Sequence, residues 1–135
     1  MKRFAIAAVA LSLLAGPMRA GEAPPPSLDT VERALIGTWQ SLGDTRFTRE
    51  FDADGKAADR YDGAPNDVIA GRWSAFLGSA PPKAAQGRKL IADAFYVELD
   101  QQGDVLIFAV AALNAQSLQL YNLDRGDMLS FSRFR

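Results

Sequence analysis

The chain contains no histidine and no cysteine. Without an imidazole it can assemble no Ser-His-Asp triad. Without imidazole or thiolate it also lacks the usual zinc ligands and the thiol nucleophile. A carboxylate-based enzyme stays within reach of the composition, but these absences favour a protein that acts without chemistry, with no metal and no cofactor. A basic excess is missing too: 15 Lys and Arg face 16 Asp and Glu. Nothing in that balance attracts nucleic acid or an anionic membrane. Long apolar runs are likewise absent. The longest, Phe4 to Leu14, is too short to span a bilayer.

That run has a different reading. Lys2 and Arg3 precede it, and Ala15-Gly16-Pro17-Met18-Arg19-Ala20 follows with small residues around a cleavage point. Together they predict a secretory signal peptide at residues 1–20. No cysteine follows the run to carry a lipid, so no integral or lipid anchor is expected once the leader is removed. The leader takes three of the 15 basic residues and no acidic one, leaving 12 against 16 and a net charge near −4. A periplasmic or secreted location follows. Small exported domains often depend on disulfides; here a hydrophobic core must hold the roughly 115 remaining residues by itself.

Residues 21–27 are a Pro-rich linker, and one domain is expected over 28–135. It opens with a short helix near 27–36, which Asp29 can cap with Glu32 three residues on, and which presents Val31 and Leu35 on one face. The hydrophobic period then changes to two. Strands are predicted near 37–42, 46–52, 57–61, 69–76, 90–100, 105–112, 117–123 and 128–134, punctuated by Asp54-Gly55, Asp62-Gly63, Gly103-Asp104 and Arg125-Gly126-Asp127. Consecutive strands joined by tight turns favour an all-β, eight-stranded antiparallel up-and-down barrel with a short N-terminal helix, because closure removes the exposed edges. A β-sandwich is the alternative. The loop from Gly78 to Arg88 is the longest and is expected to be mobile. The stretch from Val105 to Leu113 is apolar on both faces, so its outer side is expected under the helix or against another subunit.

Gly37-Thr38-Trp39 at the head of the first strand and Ser132-Arg133-Phe134 in the last resemble the lipocalin and wider calycin pattern. The resemblance implies that Trp39 closes one end of the barrel beneath Arg133, with Gly37 allowing the chains to approach. A guanidinium over an indole is worth about 0.5–2 kcal/mol. Gly71-Arg72-Trp73 is similar to a unit in lipocalin-like domains of short bacterial exported proteins. The size and the segment Ala23-Pro24-Pro25-Pro26-Ser27 also resemble periplasmic inhibitors of secreted metalloproteases, which insert an extended arm into the protease cleft, and envelope lysozyme inhibitors. Both groups usually carry cysteines, which this chain lacks.

Alternation places Arg49 inward between Phe47 and Phe51, where an unpaired charge is costly. Two roles fit: a cationic floor for a ligand carboxylate, or an internal ion pair with Asp93, the acid on the inward face of the 90–100 strand. The two can coexist. Trp73, Tyr61 and Tyr96 either line a pocket or fill the core. Asp52-Ala53-Asp54-Gly55 has half the carboxylates of a calcium loop and reads better as a hairpin turn. Asp59, Asp62, Asn66 and Asp67 read as a solvated acidic rim. The expected function is to hold a small apolar or amphipathic ligand at Arg49, Trp73, Tyr61 and Asp93. The alternative is an envelope inhibitor or immunity-type protein that blocks a secreted protease or cell-wall hydrolase through its rim or N-terminal arm.

Overall fold

The computed structural model describes residues 26–62 and 67–134. The expected leader, the linker up to residue 25 and Asn66 lie outside the described residues. The first element is helix α1 (Leu28–Leu35), capped by the Ser27 hydroxyl, which accepts from the Thr30 backbone N–H at 3.1 Å. Asp29, expected as the cap, sits in the first turn and pairs with Arg33 one turn on at 2.9 Å. Ser27 takes the capping role because its backbone is still extended while its carbonyl already accepts the first helical bond, from Val31.

Eight strands follow: β1 (Gly37–Ser41), β2 (Phe47–Phe51), β3 (Lys56–Tyr61), β4 (Val68–Leu77), β5 (Phe95–Gln101), β6 (Asp104–Leu113), β7 (Ser117–Asn122) and β8 (Met128–Arg133). Each pairs antiparallel with the next. β8 returns to β1 through Trp39↔Arg133, Gln40↔Ser132 and Ser41↔Phe131. That last pairing makes a closed up-and-down barrel and excludes the sandwich. No helix among the described residues is long and apolar enough to cross a membrane.

Inward positions fill the barrel. Trp39, Phe51, Phe108, Phe131, Val97, Leu99, Leu118 and Leu120 are buried, and Val31 and Leu35 of α1 join the same core. An eight-stranded barrel is just wide enough for side chains to fill. Helix α1 therefore lies as a plug against the end where β1, β3, β5 and β7 begin. A bulge between Val110 and Ala112 shifts β6 by one residue, so that Leu113 returns to the interior opposite Leu118.

The outer apolar face of β6 is not under the helix; the chain's own β4–β5 region packs on it. Ile107 and Ala109 pack with Phe76, Tyr96 and Ala85, the last from a 3-10 turn (Lys83–Ala85) in the long β4–β5 loop. That loop is strapped down. The Tyr96 hydroxyl accepts from the Ile91 N–H at 2.9 Å, and Arg88 bridges to Asp124 at 2.7 Å in the β7–β8 turn. The guanidinium beside Asp124 holds its carboxyl below the usual carboxylate value.

Candidate functional site

The two ends of the barrel are built differently. At the plugged end the last carbonyls of α1 have no intrahelical donors. Trp39 Nε1 donates to Leu35 O at 2.9 Å, and Arg133 donates through Nη1 to Ile36 O at 2.8 Å and through Nη2 to Ala34 O at 3.1 Å. The Arg133 guanidinium lies 3.9 Å from the Trp39 ring centroid. Partial burial lowers its pKa from the ordinary arginine value. Gly37 sits at φ 136°, and a Cβ there would collide with Arg133 Nη1. The backbone conformation favours glycine here, and any side chain would also push the guanidinium off its helix carbonyls. Trp73 also belongs to this end. It packs on Phe51 with centroids 5.0 Å apart and donates to Asp52 O at 2.8 Å, beside a groove of about 300 Å³ under α1.

At the other end the barrel interior carries charge. Arg49 and Asp59 are 5% and 6% exposed, and they face each other across the β2–β3 ladder. Arg49 Nε donates to Asp59 Oδ1 at 2.8 Å and Nη2 to Oδ2 at 3.0 Å. Gln101 Nε2 adds a third donor to Asp59 Oδ2, at 2.8 Å. The guanidinium carbon sits 5.2 Å from the Phe108 ring, 5.5 Å from Phe47 and 5.8 Å from Phe131. Arg49 Nη1 is closed off from solvent and has no hydrogen-bond partner among the described residues.

One inward step nearer the mouth, the register places Phe47, Tyr61, Gln101, Leu106 and Leu129, all half-buried or exposed. Phe47 and Tyr61 touch ring to ring with centroids 5.2 Å apart. Exposed Leu42, Val68, Ile69 and Met128 continue the apolar rim at the strand ends. Outside the barrel a groove of about 550 Å³ runs past Gln40, Thr48, Arg60 and Phe134. Tyr61 and Asp62 line it too, and Arg60 there bonds Glu50 at 2.7 Å, a bond that lowers the Glu50 pKa.

The structure therefore splits the expected ligand set. Arg49 and Tyr61 both belong to the mouth, with Phe47 between them. Trp73 lies at the opposite end. Asp93 is exposed in a turn closed by Ala94 N–H to Ile91 O at 3.1 Å, because β5 begins only at Phe95. The ion pair of Arg49 is made with Asp59 and not with Asp93; Asp59, expected on a solvated acidic rim, lies buried inside the barrel. The missed signal is symmetry about the Asp54-Gly55 turn: Arg49 and Asp59 stand five residues on either side of Asp54, so a tight hairpin makes them cross-strand neighbours. Tyr96 lies outside the barrel, stacked on Phe76 at 5.4 Å. Asp52 to Gly55 forms the hairpin turn, with Asp54 accepting from the Lys56 N–H at 3.0 Å. Compared with known proteins, the chain matches no family model, no curated protein and no solved structure.

Proposed function

We propose that this protein is an exported, non-enzymatic binding module that takes a small apolar or amphipathic molecule at the barrel end opposite α1, the mouth. One observation carries the reading: a buried arginine with an unpartnered nitrogen lies one layer below a ring of half-buried and exposed apolar side chains. A packed core has no need of such a group, since apolar residues of similar volume commonly serve stability as well as a buried ion pair does. Small-ligand sites combine an apolar wall with a few convergent polar groups, and the mouth offers that combination. The filled lower barrel limits the ligand to a shallow seat and argues against a deep cup.

That same filling supports a second reading, an envelope inhibitor that docks a target enzyme through the exposed rim of Leu42, Tyr61, Ile69 and Met128. The two readings separate in one experiment. The secreted chain is titrated with the uncharged fluorophore N-phenyl-1-naphthylamine. The mouth variants Leu129→Glu and Ile69→Glu are compared with Thr48→Glu in the outer groove. Saturable binding lost only in the mouth variants is expected. No saturable binding, or equal loss in all three, refutes the ligand reading.

A further inference from the structure

We infer that the ligand's polar group is an uncharged hydrogen-bond acceptor, such as an ester, amide or ketone carbonyl, and not a carboxylate. This inference rests on the mouth reading above and names the ligand class for that same site. It departs from the cationic floor that Arg49 suggests when considered by itself. Asp59 already accepts two charge-assisted hydrogen bonds from Arg49, so the pair carries no net charge. The Asp59 carboxylate is held further by Gln101, which leaves it little freedom to turn away from the guanidinium. A ligand carboxylate brought to Arg49 would leave one net negative charge in an apolar interior walled by Phe47, Phe108 and Phe131. Burying such a charge without its own counter-ion is strongly unfavourable.

What the site does have in surplus is donor capacity. A guanidinium has five N–H groups, and the two on Nη1 meet no acceptor among the described residues. A carbonyl oxygen accepts from them without adding charge. The apolar remainder of the molecule would then lie against Phe47, Leu106 and Leu129 and leave by the rim at Tyr61 and Ile69. Gln101 spends one of its two amide N–H groups on Asp59 and so helps to hold the carboxylate on Arg49.

Octanamide, methyl octanoate and octanoate are titrated into the secreted chain near neutral pH, each by displacement of N-phenyl-1-naphthylamine. The amide and the ester are expected to bind at least about tenfold more tightly than the carboxylate. Because apolar surfaces alone favour the ester, the amide is the decisive comparison. Asp59→Asn removes the neutralising charge and is expected to invert the order, so that octanoate binds that variant more tightly than octanamide. Should Asp59→Asn not fold, the paired replacement Arg49→Met with Asp59→Leu takes its place, and is expected to lose octanamide at least about tenfold while keeping the apolar fluorophore. Octanoate binding the wild type as tightly as octanamide, or more so, overturns the inference and leaves the mouth reading intact. Failure of the fluorophore itself to bind overturns both.

Discussion

The plugged end allows a prediction in which the sign of a coupling, and not only its size, is fixed by geometry. Trp39 is fully buried, its indole N–H caps Leu35 O, and its ring supports Arg133. Truncation to alanine should cost about 3–5 kcal/mol, as for other large aromatics in cores. Trp39→Phe keeps most of the volume but strands a helix carbonyl, and should cost about 1–2 kcal/mol. Arg133→Ala removes two caps from α1 and a cation–π contact on a half-buried side chain, for about 1–3 kcal/mol. Gly37→Ala forces a side chain into a left-handed conformation, about 1–3 kcal/mol, and adds a collision with Arg133 Nη1. In the Arg133→Ala background the collision is gone and the backbone cost remains. The double variant should therefore lose less stability than the two singles together. Urea melts of the four singles and the double variant measure this. An additive double variant, or a Trp39→Ala protein as stable as wild type, would refute the closure argument.

Three further outcomes are expected. Arg49→Met and Asp59→Leu should each destabilise the fold by about 3–5 kcal/mol, and the double replacement should recover most of the loss, since each single change strands a buried charge; chemical denaturation of all three checks it, and neutral singles would contradict the burial of the pair. The Arg88–Asp124 clamp should weaken in acid. A carboxylate held below its ordinary value of 3.8 contributes stability that is present above that value and lost as pH falls through the folded one, so hydrogen exchange in the β4–β5 loop should rise selectively in that window. Asp124→Asn should abolish the dependence. Tyr96→Phe should leave the Ile91 N–H without its acceptor, cost about 1 kcal/mol and raise protease sensitivity between Gly78 and Ala94, whereas unchanged proteolysis would mean that the strap is held by its apolar contacts alone.

The barrel was legible because its information is local. Phe47-Thr48-Arg49-Glu50-Phe51 alternates cleanly, and the Gly-Asp and Asp-Gly pairs mark where strands reverse. Strand ends were less so. The apolar spacing of Ile91, Phe95, Val97 and Leu99 continues through a turn, so period-two reading carried Asp93 inside when the backbone had already left the sheet. The cover on β6 was hidden for a related reason. Alternation shows that Ile107 and Ala109 are apolar on the outer face, but not that Ala85 will reach them from a loop expected to be mobile, beside Tyr96 of β5. At the candidate site, Arg49 announced itself as a charge between two phenylalanines. Asp59 did not, because its strand neighbours Ala57 and Tyr61 give no strong pattern and its role depends on pairing across the turn. Gln101, at a strand end beside a glycine turn, carries no local sign that it holds Asp59.

The proposed ligand seat is tested most directly by NMR of the purified protein with labelled Leu and Ile methyls and labelled Arg side chains, titrated with N-phenyl-1-naphthylamine. Binding at the mouth predicts that the largest shifts fall on the methyls of Leu106, Leu129 and Ile69 and on the Arg49 Nε–H, while Leu35, Leu118 and the Arg133 side chain at the plugged end stay still. Shifts concentrated on Arg60 in the outer groove, or on Arg33 and Leu35 beside α1, would contradict it.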